Sequence, residues 1–313
     1  MEQNTTSLNE NITHLNNQAD NKSNGIIIQL IEFWRNLGSN TPIEMAKISK
    51  WTKLWYTLQI QAIFAGGAFL TGIFVPILFS LIKYDESNHA ISKVINNEEI
   101  PRLTLLLTAV IIGPFFEEVI FRLGLVKYRI NFYISFAFFF LYLIMPKFIL
   151  TPNINKETIL LALSVLFNII ILLYNGRIID RIYAKHSRLL YILSVLLFGL
   201  IHISNFTNAN YLLYLLTPIL ILPQILLGFG LGFVRMKYGF IWSCILHSLH
   251  NGMLFIPSLL VPLNKEVKDY STAEQINSII GIAILGIYLL SCIGISIFTL
   301  LKYRKENYKK ILA

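Results

Sequence analysis

Charge and cysteine are what this chain has least of. Only 14% of its 313 residues are charged, where a soluble domain carries roughly 25%. That scarcity excludes an ordinary soluble fold. With 55% hydrophobic residues, it makes the chain a multi-span membrane protein. The two cysteines, Cys244 and Cys292, both lie in apolar runs. Neither a disulfide framework nor a Cys-based metal centre follows from them, and both are expected to pack as small apolar residues. There is no Gly-rich phosphate loop, no Cys-pair zinc pattern and no His-Glu-x-x-His. Gly228, Gly230 and Gly232 come without a strand or a lysine, so they are expected to bring helices close rather than to hold a nucleotide. The net charge of +9 does not call for nucleic acid, because basic loops orient spans and meet anionic lipid heads.

Residues 1–25 are rich in Asn, Ser, Thr and Gln and are expected to be disordered. They lack the basic start and apolar core of a cleaved signal, so the first span is expected to act as the signal. Residues 26–37 alternate apolar and polar at helical spacing, and Trp51 and Trp55 follow among lysines, the pattern of a membrane interface. The expectation is a cytoplasmic tail over 1–50 with an interfacial helix, a membrane domain over 51–301, and a basic tail over 302–313. Spanning helices need about 20 apolar residues. The apolar runs predict an all-α protein of about eight transmembrane helices, at 58–82, 103–124, 130–149, 158–174, 187–208, 211–234, 238–260 and 278–301. With the N-terminus inside, 19 of the 26 Lys and Arg fall on inside segments and 7 outside. Both termini are therefore expected in the cytoplasm of a multi-pass cell-membrane protein.

Within the apolar runs, three stretches carry chemistry. Gly113-Pro114-Phe115-Phe116-Glu117-Glu118-Val119-Ile120-Phe121-Arg122 ends the second run. Glu118 and Arg122 are four apart, hence on one helix face, and are expected to pair as a structural support. Glu117 is turned about 100° away and is left for proton chemistry. His247 and Asn251 also share a face and could donate to a carbonyl oxygen that gains charge. His250 is expected to be a hydrogen-bonded packing residue. His202 ends the apolar run 189–203. A carboxylate and a histidine can hold and deprotonate a water while a His/Asn pair stabilises the oxyanion, the two halves of peptide hydrolysis. Proton-coupled transporters keep the same residue types in their spans, and a catalytically idle scaffold is a third reading.

Glu-Glu-x-x-x-Arg, Phe-x-x-x-His and His-x-x-x-Asn, in that order on three spans, resemble the CPBP (Abi) family of CAAX prenyl proteases and bacteriocin-processing enzymes. The resemblance covers about 103–257. It implies an eight-span intramembrane endopeptidase acting on membrane-associated peptides or proteins, with Glu117 as general base, His202 helping to hold the water, His247 and Asn251 as oxyanion site, and Glu118 and Arg122 as the supporting pair. It makes no cofactor certain: a glutamate-activated water is favoured, and Glu117, His202 and His247 would be the ligands were the enzyme dependent on a divalent metal such as zinc. The Asn-rich tail and the absence of a transit peptide suggest a bacterium, where peptide maturation or bacteriocin self-immunity fits better than CAAX processing. The 85-residue separation of Glu117 and His202 departs from the family pattern and predicts an extra helix pair over 130–174. From helix rise, Glu117 and His202 would miss in depth by about 12 Å. The fifth span is therefore expected to start later and run on through Ser204–Asn210.

Overall fold

The computed structural model describes residues 25–37, 43–84, 89–95, 99–150, 160–161, 163–168, 170, 177–207, 210–260 and 267–312. Among the described residues it is all-helical, with one isolated bridge, His89 to Phe206, as its only extended pairing. In chain order the helices are α1 (Ile26–Asn36), α2 (Lys50–Gly72), α3 (Phe74–Ile82), α4 (Ala90–Ile95), α5 (Arg102–Leu107), α6 (Gly113–Phe121), α7 (Arg129–Leu150), α8 (Arg177–Ile201), α9 (Tyr211–Leu220), α10 (Leu222–Lys237), α11 (Phe240–Leu260) and α12 (Thr272–Leu312).

Five described segments are long and apolar enough to cross a bilayer: Lys50–Ile82, Arg102–Leu125, Ile179–Asn205, Tyr211–Lys237 and Thr272–Glu306. Of the other three expected spans, Arg129–Leu143 is a shorter apolar helix. The helix Phe240–Leu260 is diluted by Ser243, His247, Ser248, His250 and Asn251. Of the stretch 158–174 only residues 160–161, 163–168 and 170 are described, and the tail 1–24 lies outside the described residues. The outward faces are apolar: Leu81, Leu103, Ile279, Ile282 and Leu290 are each at least 65% exposed. Such a surface is stable only against hydrocarbon, and helices suit it because they satisfy their own backbone hydrogen bonds.

The core sits around α10, which packs on α2, α8 and α11. Its three glycines do what their spacing suggests. A Cβ at Gly228 would meet Val195 and Phe198 of α8 at 3.3 Å, one at Gly230 would meet Phe64 of α2 at 3.0 Å, and one at Gly232 would lie 2.6 Å from the Tyr191 ring. The chain then reverses at Gly239, whose φ of +109° only glycine adopts without strain. That turn lays α11 back along α10. The N-terminal helix α1 docks on this core rather than standing apart from it. Phe33 packs edge-on against Tyr191 and Phe233, and Arg188 Nε donates to Leu37 O at 2.8 Å.

The fifth span differs from expectation. α8 starts earlier, at Arg177, bends at His186 (φ −128°, ψ 20°), and gives way to a 3₁₀ turn at His202–Asn205 instead of running on to Asn210. The reason lies in the basic stretch before the apolar run, which is an amphipathic helical extension. Its Ile179 and Tyr183 are buried four residues apart, while Arg181 and Lys185 stay exposed.

Candidate active site

The site is built on α6, a helix of nine residues that is fixed at both ends. It is preceded by a π turn, Thr108–Ile112, in which the Gly113 N–H bonds Thr108 O. Pro114 has no N–H to give. Neither residue therefore serves the Ala109 carbonyl, and the Asn251 side-chain amide donates to it at 3.0 Å. The sequence Gly-Pro thus opens an acceptor that one of the motif residues fills, a use of π turns common at functional sites. At the other end a helix leaves carbonyls without intrahelical partners. Here side chains meet five in a row. Ser135 Oγ donates to Ile120 O and Ser194 Oγ to Phe121 O, both at 2.5 Å. Arg235 donates to Arg122 O and Leu123 O, both at 3.1 Å, and Tyr183 Oη donates to Gly124 O. The rotation of α6 about its axis is thereby set by α7, α8 and α10.

That rotation separates the two adjacent carboxylates. Glu118 and Arg122 point inward, both fully buried, with Arg122 Nη1 3.6 Å from Glu118 Oε1. The guanidinium lies over the Phe198 ring at 3.8 Å from its centroid, a cation–π contact strengthened by the absence of water. Glu118 also accepts from Ser243 Oγ, and its Oε1 lies 3.0 Å from His247 Nδ1. Glu117 points instead into a cavity of about 420 Å³, lined also by His202, His247, Asn251 and Tyr142. Its Oε2 is buried with no hydrogen-bond partner, 3.6 Å from His247 Nε2.

The three motifs therefore converge on one cavity, and every residue singled out from the sequence is at or beside it. His202 Nδ1 lies 2.7 Å from Phe198 O. A carbonyl can only accept, so Nδ1 carries the proton and, in the neutral ring, Nε2 is left as an acceptor. His250 is a hydrogen-bonded packing residue, 3.2 Å through Nδ1 from Gln61 Nε2 and 3.5 Å from Tyr288 Oη. It also lines the cavity wall. His89, in the loop before α4, lines the same cavity, and burial first, then the nearby His202, pushes its imidazole below the ordinary value.

Ser243, Tyr142 and Gln224 were not found from sequence. Ser243 had a signal, since Ser243, His247 and Asn251 recur every four residues on one face of α11. Tyr142 comes from α7, within the stretch expected as an extra helix pair, and it brings that stretch to the cavity. Among the described residues no three His, Cys, Asp or Glu side chains are grouped so as to hold a metal ion. His247 turns both ring nitrogens to carboxylates. Glu117, His202 and His247 are not grouped in that way among the described residues, and no step is routed through a metal.

The class the fold and cavity define is an all-helical membrane bundle in which one carboxylate, four histidines and an asparagine line a single cavity. Residues 99–253 match the family described as type II CAAX prenyl endopeptidase Rce1-like, which is the CPBP family. No curated protein matches the chain, and no solved structure does.

Proposed function

We propose that this protein is an intramembrane endopeptidase that hydrolyses membrane-associated peptides or proteins with a water activated by Glu117. What carries the reading is the unpartnered Glu117 Oε2, aimed into a cavity that His202, His247 and Asn251 also line. A buried carboxylate oxygen without a donor is a costly arrangement, and it is relieved when a water or substrate group enters.

In the proposed reaction, a water hydrogen-bonds Glu117 Oε2 and the free Nε2 of His202. Glu117 takes one proton as the water oxygen adds to the peptide carbonyl carbon. The carbonyl oxygen gains charge and accepts from Asn251, whose amide carries a second N–H beyond the one given to Ala109, and from His247 when its Nε2 is protonated. The proton held by Glu117 then passes to the leaving nitrogen, the C–N bond breaks, and a carboxylic acid and an amine leave. Glu118 and Arg122 hold the helix and, through His247, the far side of the site. Catalysis of this kind rests on positioned proton transfer and preorganised donors. We infer further that the chain crosses the membrane eight times with both termini in the cytoplasm, and that its work is peptide maturation or immunity to a bacteriocin.

The test uses purified protein in nanodiscs and a quenched fluorogenic library of membrane peptides. Wild type cleaves a subset of the library, and Glu117→Gln, which keeps shape, does not. Asn251→Ala lowers kcat about 100-fold with little change in KM, the usual cost of one oxyanion donor. Chelators leave activity unchanged. Loss on chelation with recovery on added zinc would overturn the metal-free mechanism. Proton-coupled solute movement in liposomes without any peptide product would overturn the endopeptidase reading altogether.

A further inference from the structure

Beside the cavity that holds Glu117 lies a second one, of about 500 Å³, walled by Ala65, Ala68 and Phe69 of α2 and by Val75, Pro76 and Phe79 of the α3 segment. The two cavities adjoin: His89, Gln224, Leu227, His250 and Leu254 line both. The second cavity is mostly apolar, with the polar groups His89, Gln224 and His250 at the boundary with the first, so it favours an apolar group entering from that side.

At the boundary stands Gln224, in the first turn of α10. Its Oε1 is buried and has no hydrogen-bond partner. Gln59 and Gln61 also have a buried unpartnered carbonyl, but their amide nitrogens are tied to Thr299 and to Tyr288, and neither lines either cavity. Gln224 alone among these combines an unmet acceptor with a place on the wall of both cavities. Buried acceptors are nearly always paired. Inside a bundle at membrane depth, the natural partner for this one is a backbone N–H of a bound chain, the donor every non-proline residue carries.

We propose that Gln224 is a substrate-positioning residue: its Oε1 accepts a backbone N–H beside the scissile bond, which sends the side chain of that residue, a large apolar one, into the second cavity, against the wall formed by α2 and α3. This rests on the endopeptidase reading and deepens it by giving the substrate class, a peptide with Leu, Ile, Phe or Met at one fixed position near the cut. The hydrogen bond sets the register of the peptide, and the apolar cavity sets its preference at that position. A site that hydrogen-bonds a substrate amide discriminates strongly against a substrate lacking it, because the acceptor is then left buried and unpaired.

The probes are quenched fluorogenic peptides in which each position flanking the cut is scanned with Leu, Phe, Ala or Asn, and single backbone amides are N-methylated. With wild type in nanodiscs, one N-methyl position raises KM about ten-fold, and Leu→Ala at the residue carrying that amide lowers kcat/KM about 10- to 100-fold. Gln224→Met, similar in length but without the acceptor, raises KM about ten-fold for the parent peptide, changes kcat little, and removes the N-methyl penalty at that one position. A merely structural Gln224 would not produce a position-specific coupling. A wild-type scan in which no N-methyl position is singled out overturns the proposal whether or not Gln224→Met folds. So does a penalty that survives intact in folded Gln224→Met. Binding of the same peptides to Glu117→Gln, read by fluorescence anisotropy, separates the two ideas. A Gln224-dependent N-methyl penalty in binding without cleavage by wild type sinks the endopeptidase reading and leaves this one standing. Cleavage without that penalty does the reverse.

Discussion

Arg122→Ala tests the inner half of the site. The guanidinium is fully buried, 3.6 Å from Glu118 and 3.8 Å from the centre of the Phe198 ring. None of its three side-chain nitrogens has a hydrogen-bond partner. Its hold is therefore charge on charge and charge on ring, with no directional bond to a neighbour. Removing it strands the Glu118 carboxylate, which retains Ser243 and His247 but loses its cation. Breaking a buried pair from one side costs about 3–5 kcal/mol, and the lost cation–π contact lies within that figure rather than on top of it, because both involve the same group. At about 2–4 °C per kcal/mol, melting of the purified protein in nanodiscs should fall by roughly 10 °C. The double variant Glu118→Gln/Arg122→Met should regain most of this. Glutamine keeps one oxygen to accept from His247 Nδ1, while its amide N–H donates to Ser243 Oγ, whose hydroxyl then donates to Leu231 O; no charge is left behind, and Met fills the space of the arginine stem. A melting point for Arg122→Ala within 2 °C of wild type, or a double variant no more stable than Arg122→Ala, would refute the account of Glu118–Arg122 as a charge-compensated structural pair.

Two further outcomes follow from packing and charge. Gly232→Ala places a Cβ 2.6 Å from a Tyr191 ring that is itself held by a bond to Phe229 O, so it should cost about 1–3 kcal/mol in thermal or denaturant melts, whereas Gly286→Ala on α12, with open space around it, should cost nothing. Reporter fusions at Asn96 and Lys265 should read outside and those at Lys185 and the C-terminus inside; an external Lys185 would refute the topology drawn from the 19 to 7 division of basic residues.

What could be read from the sequence was the local part of the site. Glu118 and Arg122 meet because four residues make one turn and a tenth of helix, and the same spacing puts Ser243, His247 and Asn251 on one face. The order of the three motifs was enough to expect their convergence. The span count was less legible, because the polar residues that Phe240–Leu260 brings to the cavity also lower its apolarity. The start of α8 was hidden for a related reason. Its first turns carry Arg177, Arg181 and Lys185, and charge reads as loop when only the buried residues Ile179 and Tyr183 show the helical stripe. Gln224 and Tyr142 could not be read at all. Nothing local marks either one, and their place at the cavity depends on how α7 and α10 pack against distant helices.

In the proposed mechanism the two adjacent carboxylates of α6 have opposite tasks, and the pinning around α6 keeps them apart. Neighbours on a helix differ by only about 100° of rotation. A modest twist of α6 would bring Glu117 toward Arg122 or turn Glu118 into the cavity, and either would quench a free base or strand a buried charge. The π turn, the Ala109–Asn251 bond and the row of capped carbonyls from Ile120 to Gly124 oppose that twist from both ends. His247 then joins what the rotation separates, since Nδ1 meets Glu118 and Nε2 faces Glu117. His247 is thereby oriented by the anchoring carboxylate, and its Nε2 is the nitrogen on the cavity side. In the proposed mechanism the supporting pair is thus linked to the cavity through a single imidazole: Arg122 pairs with Glu118, Glu118 orients His247, and His247 faces the Glu117 oxygen that has no hydrogen-bond partner.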